Sequence, residues 1–190
     1  MIAYIGIAAY SRRPPLDTAK KICEFVDKLK NLCKNAVEKT VFIVGGYEGL
    51  MRTFVDKALE NGFNLVILPP LEQENQEFPE KAIVIKTGST FIIRSSILVH
   101  ASDMLVAIGG GIGSIEEIIT AYNEGKQVYV LVDTGLPTDI VKMLPSKLDE
   151  KAEKLLQIFN DPESLAREVC RTLTSKLRIR NEDSNRKPSS

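Results

Sequence analysis

The segment Gly109-Gly110-Gly111-Ile112-Gly113-Ser114 sets four glycines into five residues, between an apolar run and an amphipathic one. Glycine lets the backbone adopt positive φ and brings amide groups close to a ligand. A helix that starts here adds unsatisfied N–H groups and a partial positive charge. Together they make an anion site, most often for phosphate. Ser114 can add a hydroxyl donor or serve as the N-cap. A tight strand-to-helix turn also uses glycine, but four glycines exceed what a turn needs. The segment is not the dinucleotide fingerprint, which requires glycine where Ser114 stands. It also has no Walker lysine. The first strand-to-helix turn, Gly6 to Ser11, has a single glycine, which weakens an NAD or FAD reading further.

Glu116 and Glu117 follow in the first turn of the next helix. Their plain role is pairing with the helix dipole. A carboxylate beside an anion site repels phosphate, so a catalytic role requires it to face another part of the ligand, such as ribose hydroxyls. Adjacent helical positions diverge by about 100°, so at most one of the pair faces a pocket directly. The spacing leaves both roles open. A second glycine turn, Gly45-Gly46-Tyr47-Glu48-Gly49-Leu50-Met51, is expected to line the same sheet edge. Arg94 is a lone cation within Phe91-Ile92-Ile93-Arg94-Ser95-Ser96-Ile97-Leu98-Val99. Such a charge needs a partner, either a structural salt bridge or a functional group. His100 is the sole histidine and reads as a helix-end residue, which excludes Ser-His-Asp and Cys-His catalysis elsewhere. No carboxylate or cysteine cluster has metal-ligand spacing, so neither metal nor cofactor is expected.

These residues need elements to hold them. Short β-rich runs occur at Ile2–Ala8, Thr40–Val44, Asn64–Leu68, Ala82–Lys86, Met104–Ile108 and Gln127–Val132. Most are continuously apolar, as in parallel strands covered on both faces. Helical periodicity falls between them at Ala19–Val37, Leu50–Leu59, Thr90–Ala101 and Ser114–Glu124. A short helix is expected at Pro137–Leu144. Asp161-Pro162-Glu163 reads as an N-cap, a first-turn proline and an acidic first turn, opening a helix to about Leu173. Leu155–Phe159 is ambiguous between strand and helix end. The pattern predicts a Rossmann-like α/β domain over residues 1–175, an open parallel sheet of six or seven strands with helices on both faces. The polar segment 176–190 is expected to be disordered. In such sheets ligands bind beyond the carboxyl ends of the strands.

The 190 residues include 25 basic and 25 acidic side chains and are 44% hydrophobic. Zero formal charge gives no global pull toward nucleic acid or anionic membrane, and neither is an expected partner. No apolar run has the length of a membrane span, and the opening residues lack a signal-peptide pattern. Cys23, Cys33 and Cys170 read as small core hydrophobes in a reducing compartment, which suggests a cytoplasmic protein.

Two segments carry a family resemblance. Gly45 to Met51 resembles the G-G-x-x-G-L-M segment of the LOG family, Rossmann-like proteins often mislabelled lysine decarboxylases. Gly110 to Glu117 resembles the core of its P-G-G-x-G-T-x-x-E motif. The resemblance spans roughly Ile2 to Leu173. LOG enzymes are phosphoribohydrolases that cleave nucleoside 5′-monophosphates to base and ribose 5-phosphate. The resemblance implies Arg94 and Glu117 as the catalytic pair. It also implies that Gly109, Gly110, Gly111, Gly113 and Ser114 hold the phosphate, with Gly45, Gly46, Gly49 and Glu116 around the pocket. It implies a nucleoside monophosphate or similar partner, and a homo-oligomer. Gly109, Ser114, Phe91 and Ser95 stand where that family has proline, threonine, methionine and lysine. Thr87 to Ser95 is closer to the molybdenum-cofactor-carrier-like branch, whose members resemble binders of a phosphorylated, nucleotide-like ligand. The sequence therefore implies either a hydrolase or a non-catalytic carrier of a nucleotide- or pterin-like phosphate.

Overall fold

A computed structural model describes residues 2–13, 15–145 and 156–185, with side chains as far as Arg178. Seven strands form one sheet: β1 (Ala3–Ala9), β2 (Thr40–Val44), β3 (Asn64–Ile67), β4 (Ile83–Val84), β5 (Met104–Ile108), β6 (Gln127–Leu131) and β7 (Leu156–Phe159). The order is β4-β3-β2-β1-β5-β6-β7, and every pairing is parallel. The α/β Rossmann-like class read from the strand pattern is the observed one.

Five α-helices cover the sheet: α1 (Leu16–Leu32), α2 (Gly49–Glu60), α3 (Phe91–Ala101), α4 (Ile112–Asn123) and α5 (Pro162–Asn185). Strand alternation divides the core into two layers. Met104, Val106 and Ile108 face one layer with Ile22, Phe25 and Phe54, while Leu105 and Ala107 face the other with Leu98, Ile118 and Val141. All five β5 residues are buried, which explains the unbroken apolar run.

The topology positions the site. From β1 the chain builds outward through β2, β3 and β4, then crosses back to place β5 on the other flank of β1. The loops after β1 and β5 diverge there, leaving a crevice at the carboxyl edge. The turns after β2 and β5 share that edge, because both strands run parallel to β1.

Several boundaries differ from the sequence reading. Helix α1 spans Leu16–Leu32 and is followed by a 3-10 turn, Lys34–Lys39. Ala36 stays buried in that turn, so its apolar spacing read as continued α-helix. Residues Pro137–Met143 are also a 3-10 turn. The expected disordered tail begins as helix: α5 runs to Asn185, and Leu173 and Leu177 dock it on the core. No glycine or proline interrupts residues 163–185, and straight-chain side chains favour helix even where hydropathy is low. Residues 186–190 of that tail, and Leu155 of the ambiguous segment, lie outside the described residues.

The cysteine reading is also corrected. Cys33, at the end of α1, and Cys170, in α5, form a disulfide with their Cα atoms 5.7 Å apart. They are 137 residues apart in sequence, so spacing gave no hint of the tight α1–α5 packing that joins them. Cys23 is free. The disulfide removes the argument for a reducing compartment. Among the described residues, no helix is long and apolar enough to cross a membrane.

Candidate functional site

A cavity of about 470 Å³ opens at the switch point, bounded by the loops after β1 and β5, the end of β2, and the starts of α3 and α4. This volume lies within the range of small-ligand pockets.

Helix α4 starts directly in the wall. Gly111 is its N-cap, with extended backbone and no side-chain cap. The first helical bond runs from Ile115 N–H to the Gly111 carbonyl, so the amides of Ile112, Gly113 and Ser114 precede the ladder and have no partner within the helix. Gly111, Gly113 and Ser114 line the cavity. Ser114 is not the N-cap; it sits three positions inside the helix, and the bare Gly111 caps it instead. Gly109 and Gly110 lie behind the wall. A Cβ on Gly110 would come 2.3 Å from the Ser114 side chain, and its carbonyl accepts a hydrogen bond from Thr138 N–H.

Arg94 and Glu117 meet. Arg94 Nη1 donates to Glu117 Oε1 at 3.2 Å, and Ser95 Oγ donates to the same oxygen at 2.8 Å. Helix α3 supplies the arginine and α4 the glutamate; the two helices pack side by side, and the side chains are 8% and 6% exposed. Both are held in a poorly solvated wall. Burial pushes the Glu117 carboxyl up to about 7, against the opposing pull of the Arg94 charge and the Ser95 hydroxyl. Burial likewise lowers Arg94 from its ordinary value, opposed by Glu117. A carboxyl near 7 exchanges a proton at neutral pH, as a general acid or base requires. Arg94 Nε is buried without a hydrogen-bond partner among the described residues. Glu116 also lines the cavity, from an exposed rim position. Of the two glutamates, Glu117 enters the wall and Glu116 stands at the mouth.

The second glycine turn acts on its neighbours more than on the cavity. Gly45 lines the pocket, but Gly46 and Gly49 do not. A Cβ on Gly45 would sit 1.6 Å from Arg94 Nη1, so the missing side chain is the space the guanidinium occupies. Gly49, at φ +54°, would place a Cβ 2.5 Å or less from the carbonyls of Tyr10 and Arg12. Leu50 N–H, at the start of α2, donates to the Tyr10 carbonyl at 2.7 Å. This glycine therefore fastens the β1 loop against α2.

The sequence reading missed that β1 loop. Tyr10, Ser11 and Arg12 line the cavity, as do Met51, Gln73 and Ile92. The signal for them is that ligands of parallel sheets bind at the carboxyl strand ends, which includes the residues after Ala9, although that turn carries no glycine run. His100 is remote from the cavity and faces Glu124 at 3.7 Å from an exposed position.

The sequence pattern of the SLOG cluster4 family matches residues 5–166. The chain belongs to that family. An uncharacterized protein of Archaeoglobus fulgidus is 38% identical over 89 residues, 46% of this chain and 57% of that protein. The match therefore spans little more than half of that relative's length. Among solved structures, TM1055 superposes with a TM-score of 0.72 at 25% identity, over 88% of this chain and 98% of its own. The molybdenum cofactor binding protein of the phototrophic bacterium Rippkaea orientalis gives 0.70 at 19% identity, over 92% and 98%. The family and these neighbours bear out the resemblance to LOG-like proteins near the molybdenum-cofactor-carrier-like branch. DNA processing protein A of Helicobacter pylori, a single-stranded DNA binder, shares the fold with a TM-score of 0.61 at 14% identity, over 90% and 81%. The fold by itself is therefore no argument against nucleic acid.

Proposed function

We propose that this SLOG cluster4 protein binds a nucleoside 5′-monophosphate, or a close phosphorylated analogue, and hydrolyses its N-glycosidic bond. The observation that carries this reading is the buried Arg94–Glu117 pair, little more than one helical turn beyond the open amides of α4. The phosphate rests on the amides of Ile112, Gly113 and Ser114, where the helix end favours an anion. The ribose then lies over Glu117, away from the phosphate. Water forms a bond to the anomeric carbon as the carbon–nitrogen bond breaks. Glu117 accepts the proton of that water, and the base departs with the glycosidic electron pair and is protonated by solvent. Arg94 holds the carboxylate and stabilises the leaving base. Preorganised charge supplies most of the effect.

Incubation with a panel of nucleoside monophosphates, assayed for free base and ribose 5-phosphate, tests the reading. Wild-type protein should release both, and Glu117→Gln should bind within a few-fold but turn over about 10²-fold more slowly. A second reading is a carrier without turnover. The fold likeness to a molybdenum cofactor binding protein favours it, as does Ser95 in place of the LOG lysine. Bound monophosphate that survives prolonged incubation across several bases selects the carrier.

The reading includes a homo-oligomer. Away from the cavity lining, α3 presents Ile93 and Ile97 to solvent, and the adjoining α4 presents Ile119. Exposed isoleucines on two adjoining helices form an apolar surface of the kind that marks an interface, and a second copy of the chain covers it.

A further inference from the structure

We propose that Arg12 is the residue that selects a phosphorylated ligand over its unphosphorylated counterpart. This rests on the phosphate-binding reading above. Four charged side chains line the cavity: Arg12, Arg94, Glu116 and Glu117. Arg94 and Glu117 are engaged with each other at 3.2 Å. Glu116, at the rim, adds a negative charge. A phosphomonoester carries a charge of about −1.5 to −2 at neutral pH. The α4 amides are neutral dipoles and do not balance it. Without Arg12, the fixed charge around such a ligand is neutral at best. Arg12 is the one remaining cation in the lining.

Its setting suits the task. Among the described residues, no hydrogen bond or ion pair engages the Arg12 guanidinium, so a ligand displaces no protein partner from it. Its backbone, in contrast, is fastened: the Arg12 and Tyr10 carbonyls rest against Gly49, and the Tyr10 carbonyl accepts from Leu50 N–H. The Tyr10 ring also reaches Gly111, lying 3.4 Å from where a Cβ there would stand. The loop carrying Arg12 thus borders the start of α4, where the phosphate oxygens lie. A guanidinium binds two such oxygens at once, which an ammonium cannot match. The α4 amides and Arg12 line the same cavity and both act on the phosphate.

The test compares matched ligands. Adenosine 5′-monophosphate and adenosine, then the guanosine, cytidine and uridine pairs, are titrated by calorimetry into wild-type, Arg12→Ala and Arg12→Lys proteins. Arg12 is exposed, so these variants keep the fold, which circular dichroism verifies. Arg12→Ala should weaken monophosphate binding by about 10- to 100-fold, as for loss of a charge-assisted hydrogen bond. Nucleoside binding should change by less than about two-fold, and Arg12→Lys should fall between. The salt dependence of monophosphate binding should flatten in Arg12→Ala. Wild-type binding with an unaffected Arg12→Ala protein overturns the assignment alone, as does an equal loss for nucleoside and monophosphate. A wild-type protein that binds no monophosphate of the panel overturns the phosphate reading and this assignment with it.

Discussion

Replacing Gly45 by alanine tests how the Arg94–Glu117 pair is held. The new Cβ would stand 1.6 Å from Arg94 Nη1 and 2.5 Å from its Cζ. Carbon contacts require about 3.5 Å, so the guanidinium must retreat by about 2 Å. A shift of that size breaks the 3.2 Å contact with Glu117. Stranding one partner of a buried pair costs about 3–5 kcal/mol. The smaller unfolded-state entropy of alanine offsets about 0.4–1 kcal/mol, since Gly45 lies outside the left-handed region. The expected net loss is about 2–4 kcal/mol, read from urea denaturation. It should be smaller at pH 5 than at pH 8, because the attraction of Arg94 for a charged Glu117 is present only above about 7. Arg94 lines the cavity, so its displacement should also weaken ligand binding. In an Arg94→Met background the same substitution should cost much less, and this double-mutant cycle isolates the clash. Gly113→Ala is the control: its Cβ meets no atom within 4 Å, and stability should change by less than about 1 kcal/mol. Wild-type stability and affinity in Gly45→Ala would refute the reasoning.

The raised Glu117 carboxyl sets a pH dependence. Its folded value, about 7, exceeds its ordinary value of 4.5, so the folded protein binds the proton more tightly than the unfolded chain. Its contribution to stability is full below about pH 4.5 and is lost as pH rises through about 7. Denaturation midpoints across this window should decline in wild type and flatten in Glu117→Gln. Cys170→Ser, or reduction, opens a loop of 137 residues. Chain entropy sets the loss at about 5 kcal/mol as an upper bound, and thermal unfolding under reducing and non-reducing conditions measures it. Ile93→Glu places a charge on the outer face of α3, away from the cavity lining. Light scattering should then report dissociation to monomer, and an unchanged mass would exclude that face from the interface.

Much of this architecture was already determined by local pattern. Five continuous apolar residues at Met104–Ile108 require a strand covered on both sides, and alternation with amphipathic segments requires parallel crossovers. The glycine run before Ile112 requires a helix start with open amides. The family motifs marked Arg94 and Glu117 as a pair, though spacing alone left the partner of Arg94 undecided. Tertiary structure decided what no local pattern encodes. It closed the Arg94–Glu117 pair across 23 residues and raised the carboxyl by burying it. It turned Gly45 into the space for a guanidinium, and Gly49 into the fastening of the β1 loop. It brought Cys33 to Cys170, and carried α5 through a segment whose polarity read as disorder. Arg12 entered the cavity lining only because β1 lies between β2 and β5 in the sheet. Periodicity reports which face of an element seeks the core, but a site at a switch point is built from strand ends, whose adjacency depends on the order in which the strands pair.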